Sequence, residues 1–157
     1  MKYSEAKHGR VFVIRLEDGE IVHEVIERFA RAKRIRAASV LLVGGADAGS
    51  KLVVGPARGR ATPIKPMTTV LANVYEIAGV GTIFPDDRGA PVLHLHAACG
   101  RKRASITGCI RAGVRTWQVI EAIVTELKNC HAARLLDPVT GFKLLQPQGN
   151  RRGGRCY

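Results

Sequence analysis

The sequence predicts a single α+β domain. One strongly periodic helix signature stands among several β-branched runs separated by Pro, Asp and Gly turns. The chain has 157 residues, 46% of them hydrophobic, enough for one core that buries roughly two-thirds of the unfolded surface. Neither a second domain nor disulfide stapling is required.

Residues 10–16 (RVFVIRL) are β-branched and partly alternating, as a strand should be. Glu17, Asp18 and Gly19 supply turn chemistry, with Asp18 as the expected helix N-cap. Over residues 20–34, Ile21, Val22, Val25, Ile26, Phe29 and Ala30 recur at three- and four-residue spacing, and Glu24 with Arg28 and Glu27 with Arg31 are i,i+4 pairs, so a helix is predicted. Residues 37–43 (AASVLLV) read as a buried strand ending at Gly44 and Gly45, and residues 51–54 as its hairpin partner. Residues 55–67 carry Pro56, Pro63 and Pro66 and are expected to form an exposed connection with little regular structure.

Residues 70–84 and 91–99 flank Pro85-Asp86-Asp87-Arg88-Gly89 and predict a long antiparallel hairpin. A third strand is expected over 104–110, after the turn Arg101-Lys102-Arg103. The periodicity of 118–127 (QVIEAIVTEL) is ambiguous between strand and helix. Beyond Leu136 a turn and a last short strand are expected. The domain is thus assigned to residues 1–147, with 148–157 a basic Arg/Gly tail too poor in apolar residues to pack and expected to be disordered in isolation.

No run of 18 uncharged apolar residues occurs and the first residues lack an apolar h-region, so a soluble, cytoplasmic protein without membrane partners is expected. Cys99, Cys109, Cys130 and Cys156 show no CxxC spacing, which argues against a disulfide framework. Neither phosphate-binding glycine motif occurs. The net charge of +12 attracts polyanions and also serves solubility. It is concentrated on Arg28, Arg31, Lys33, Arg34 and Arg36, where a helix end accommodates cations, on Arg101, Lys102 and Arg103, and on Arg151, Arg152 and Arg155.

His94-Leu95-His96 lies within an apolar strand, and alternation puts the two imidazoles on one side, roughly 6–7 Å apart, while Leu93, Leu95 and Ala97 face a core. That spacing permits two ligands on one metal ion. The basic turn returns the next strand beside the first, bringing Thr107 or Cys109 towards the pair. Two imidazoles and a thiolate suit Zn²⁺ with one position open; the other reading of Cys109 is a small buried hydrophobe.

These residues carry a resemblance. GRVFVIRLEDGE before a helix ending RAKRIRAASVLLVGGA, followed by NVYEIAGVGTIFPDDRGAPVLHLHAACGRKRASITGCIRAGVRTWQVIEAIV, resembles the plants and prokaryotes conserved (PPC) domain over residues 9–146. The most specific part is Glu76, Gly89-x-Pro91 ahead of the His pair, Gly108-x-Ile110-x-x-Gly113, and a strand with Glu121. The resemblance implies a central, largely antiparallel sheet with one main helix packed on it, a homotrimer, and a strand for 118–127. Where that family usually shows Gly-Gly-His, this chain has Thr107-Gly108-Cys109, so a thiol takes the place of the third imidazole.

The family is associated with AT-hook motifs and DNA. No hook core occurs here: Arg58-Gly59-Arg60 is followed by Ala61 rather than Pro, and Arg151-Arg152-Gly153-Gly154-Arg155 is not a hook. Two functions are therefore expected. One is a DNA-binding protein with a metal site at His94, His96 and Cys109 and nucleic-acid contacts from Arg101, Lys102, Arg103, Arg151, Arg152 and Arg155. The other is a metal-dependent enzyme acting on a small molecule, with Glu76 or Glu121 as base or as a group that orients a ligand.

Overall fold

Side-chain alternation decides which way each strand faces, and the sheet follows from it. The computed structural model describes residues 1–148. The chain runs β1 (Lys7–Glu17), α1 (Val22–Ala32), β2 (Ala38–Ala46), β3 (Lys51–Pro56), β4 (Pro66–Val70), β5 (Tyr75–Pro85), β6 (Pro91–Arg101), β7 (Ala104–Cys109), a short 3₁₀ turn (Ile110–Ala112), β8 (Thr116–Lys128), β9 (Ala132–Leu136) and β10 (Lys143–Pro147). Eight strands form one antiparallel sheet in the order β1-β8-β2-β5-β6-β7-β3-β4, and β9 and β10 make a separate hairpin. The ambiguous segment 118–127 is strand, in β8.

One face of the sheet supplies the core. Leu16, Val40, Leu42, Ile83, Leu93, Leu95, Ile120 and Val124 are buried there, with Val22, Ile26 and Ala30 of α1 packed on them. Burying such side chains stabilises the fold by about 1.5–3 kcal/mol each, which is what orders an 11-residue helix too short to persist alone.

Several expectations need correcting. Asp18 does not cap α1, whose N-cap is Ile21 without a side-chain bond; its Oδ1 instead accepts from the backbone N–H of Gln118 at 2.7 Å. Gln118 has φ 60, in the left-handed region, so this bond holds an unfavourable turn at the start of β8. The i,i+4 pairs on α1 are also replaced: Arg28 reaches Glu20 at 3.5 Å, and Glu27 accepts from the backbone N–H of Leu93 at 2.9 Å, tying the helix to β6.

Residues 51–54 do not pair with β2, because both edges of β2 are taken by β8 and β5; β3 lies between β7 and β4 instead. Part of the Pro-rich stretch is strand, β4, and the predicted strand over 70–84 is interrupted at 71–74 before β5 begins. Gly44 and Gly45 sit where the β2–β8 register shifts, and a Cβ on Gly45 would lie 2.7 Å from the Trp117 carbonyl oxygen. Their role is close strand packing.

The other face of the sheet is open over much of its width. Val13 pairs with Ile123, Ile123 with Leu41, Leu41 with Val80, Val80 with His96, and His96 with Cys109, so one cross-strand row runs over six strands. Its first four members are 83%, 45%, 51% and 66% exposed in that order, an apolar stripe that ends at the two His/Cys strands. The β9–β10 hairpin covers one end of this region, where Phe84 and Ala37 bury against Ala132.

Candidate metal centre

The β5–β6 hairpin and β7 together build the site. His94 and His96 alternate with buried Leu93, Leu95 and Ala97 and so emerge on the opposite face. β7 returns antiparallel with Cys109 directly across from His96. One ligand atom from each of His94, His96 and Cys109 lies within 4.8 Å of the other two. The two Nε2 atoms are 3.2 Å apart, with the rings edge to face.

These donors fit a tetrahedral ion. Bonds of ~2.1 Å from zinc place two imidazole nitrogens about 3.4 Å apart, close to the observed contact, and three protein ligands leave one position for water or a substrate. His94 is half-buried, and burial, then the charges of Arg134, His96 and Arg111, hold its imidazole down to about 4. It is therefore neutral at physiological pH, the form that ligates. A bound zinc ion would act as a Lewis acid at the open position. Cys99, buried in the core with its thiol pushed up to about 11 by burial, has the environment of an inert thiol.

The other sequence-predicted residues lie apart from this cluster. Glu76 is exposed on β5 opposite Gly100, four residues along from Val80, or ~13 Å of strand from the His96 row. Glu121 is exposed on β8 in the row of Val43, Ala78 and Ala98, three strands from β6, ~14 Å away. Within one subunit neither carboxylate reaches the ligands. In the basic turn, Arg101 donates to the Val74 carbonyl oxygen at 3.0 Å, while Lys102 and Arg103 are exposed. Arg151, Arg152 and Arg155, with the rest of 149–157, lie outside the described residues.

Sequence reasoning missed Arg134. It sits on β9, a strand that no motif announced, and is only 5% exposed. Its Nη2 donates to the Thr82 hydroxyl at 2.9 Å, and Thr82 pairs with His94 across the β5–β6 ladder. The guanidinium lies 5.8 Å from the centre of the Phe84 ring.

Comparison with known proteins gives the same fold. A metal-containing protein from Archaeoglobus fulgidus is 25% identical, with a TM-score of 0.78 over 92% of this chain and 98% of that one. A plant- and prokaryote-conserved protein from Pyrococcus horikoshii is 21% identical, with a TM-score of 0.80 over 94% and 99%. A candidate DNA-binding protein from Ralstonia eutropha is 20% identical, with a TM-score of 0.69 over 87% and 90%. No curated protein sequence matches significantly. Residues 3–128, which span the whole sheet and all three donors, match the Plants and Prokaryotes Conserved (PCC) domain, and the chain belongs to that family.

Proposed function

We propose that this PCC-domain protein binds Zn²⁺ through His94, His96 and Cys109. The observation that carries this reading is the convergence of three donors within 4.8 Å on one face of adjacent strands. The metal-containing relative supports it. Elemental analysis of tag-free protein purified without chelator or nickel tests it, with His94→Ala and Cys109→Ala alongside. About one zinc per subunit in the wild type, lost in both variants, is expected. Protein that carries no metal and does not retain added zinc overturns it.

A second function accompanies the first in this reading: binding of DNA through its phosphates. The surplus of +12 charges, the exposed Lys102 and Arg103, and the candidate DNA-binding relative support it. Arg101 and the tail residues Arg151, Arg152 and Arg155 complete the proposed contacts. Self-association as a homotrimer, through the open face of the sheet, belongs to the same proposal and is supported by the exposed apolar row. So does a cytoplasmic location, which keeps the Cys109 thiol reduced.

The open coordination position favours the alternative of a metal-dependent enzyme, in which substrate replaces water on the ion. For Glu76 or Glu121 to serve it, a second copy must bring the carboxylate to the metal, since one subunit holds both apart from it.

A further inference from the structure

Arg134 has a buried cation and no carboxylate. Among the described residues it forms no ion pair, and its Nε is buried without a hydrogen-bond partner. Asp86, which bridges to Arg134 through the backbone, spends its side chain on the N–H groups of Arg88 and Ala90 and on Lys143. A buried guanidinium left in this state is costly, and its hydroxyl and aromatic contacts replace only part of its hydration.

Its position gives that cost a use. Thr82 holds the guanidinium beside His94 on the face from which the donor cluster emerges. The charges of Arg134 and of Arg111, next to the cluster on the 3₁₀ turn, are both felt at His94. A zinc ion held by two neutral imidazoles and one thiolate carries a net charge of about +1, so metal and arginines together leave a local excess of positive charge. An anion is the missing component.

We infer that Arg134 and the open coordination position form one site for a small oxyanion, a carboxylate or phosphate group, with one oxygen facing the metal and another accepting from the Arg134 guanidinium. This rests on the metal reading above and assigns it a ligand class. Arg134 is the specificity element: its fixed planar donors can hold the Thr82 hydroxyl and an anion oxygen at the same time, where an ammonium would offer a point charge. Thr82 is its positioning residue.

Calorimetric titration of inorganic phosphate, and separately acetate, into the full-length zinc-loaded protein tests the proposal, with zinc content and circular dichroism recorded for each variant. Saturable binding of at least one anion is expected. Arg134→Gln weakens it tenfold or more while zinc per subunit stays equal or rises, because a cation next to the metal has been removed. Arg134→Lys falls between. If Arg134→Gln does not fold, Thr82→Val, which frees the guanidinium but keeps its charge, carries the test with a smaller loss.

The proposal is overturned if folded, metal-replete Arg134→Gln binds as the wild type does, or if neither anion binds the wild type at millimolar concentration. Displacement of bound phosphate by a short DNA duplex also overturns it, because the site then serves a backbone phosphate. If the wild type retains no zinc, the metal reading falls by itself; the same titration without zinc then decides whether Arg134 binds anions.

Discussion

The carbonyl oxygen of His94 lies 2.6 Å from the point where a Cβ on Gly81 would stand, and the backbone of Leu95 is as close, with its Cα at 2.7 Å. Gly81 thus lets β5 approach β6 at the residue that orients the first histidine. Gly81→Ala forces the two strands apart and is expected to cost about 1–3 kcal/mol in urea unfolding. It should also weaken zinc retention. Gly79→Ala is the comparison: its Cβ meets no backbone atom, its two nearest neighbours, Leu95 Cδ2 at 2.7 Å and Leu42 Cδ1 at 3.1 Å, are side-chain ends that can turn away, and Ala97 Cβ is farther at 3.3 Å, so its effect should be smaller in both measurements. Equal losses would show that strand separation at His94 is not the cause.

Cys109 pairs with His96, so the residue at this position chooses the third donor. Cys109→His keeps three ligands and should retain zinc within about tenfold of the wild-type affinity, whereas Cys109→Val should lose it. Cobalt(II) substitution separates donor type from occupancy. Thiolate-to-cobalt charge-transfer absorption is expected in the wild type and absent in Cys109→His, even though that variant binds cobalt.

Much of this site was legible because strand chemistry is local. Alternation put His94 and His96 on one face, the short basic turn returned β7 with Thr107 or Cys109 near the pair, and the family resemblance pointed to Cys109, which the register sets across from His96. The helix was legible for the same reason, its buried residues falling four apart. The fate of β3 was not: which strands flank β2 is settled by pairing with β8, far along the chain. Arg134 was invisible because its meaning depends on a hairpin docking over Thr82, a tertiary contact across 52 positions of sequence. Glu27 misled as a surface ion-pair partner, since only the packed structure offers it the N–H of Leu93.

Glu126 is buried near the end of β8 and accepts from Arg10 Nε at 2.8 Å, Arg10 Nη2 at 2.9 Å and the Arg10 backbone N–H at 3.2 Å. The guanidinium bonds are the main cause holding its carboxyl down to about 2. A depressed folded-state value means that this contribution is complete above the unfolded value of about 4.3 and is lost as pH falls through about 2. Glu126→Gln should therefore unfold at lower denaturant concentration than the wild type at pH 7, with the gap closing in strong acid. A gap independent of pH would assign the effect to packing alone.

Proposed DNA contacts make a quantitative claim about salt. Each phosphate neutralised contributes a slope of about −0.9 to log K against log salt concentration. Lys102→Ala and Arg103→Ala together should flatten the slope by up to about 2 for random-sequence duplex, with affinity falling uniformly across sequences. Arg101→Ala is expected to act differently, because its guanidinium already holds the Val74 carbonyl oxygen and its loss should also lower stability. An unchanged slope in the double variant would remove this turn from the interface.

The apolar row on the open sheet face predicts where self-association breaks. Leu41 and Ile123 are paired neighbours in the middle of that row, half-exposed in a single subunit, and lie two and three strands from His96. Leu41→Lys places a charge where a trimer interface would desolvate it, so it should shift sedimentation from trimer to monomer while leaving each subunit folded. Val139→Lys is the control, because Val139 is 82% exposed in the loop between β9 and β10, away from the row. Zinc measured on the same samples then separates two kinds of centre. If the monomeric Leu41→Lys protein keeps its zinc, one chain supplies every essential ligand; if zinc leaves with the trimer, a neighbouring copy completes the coordination, and Glu76 and Glu121 become the first residues to test as that copy's contribution.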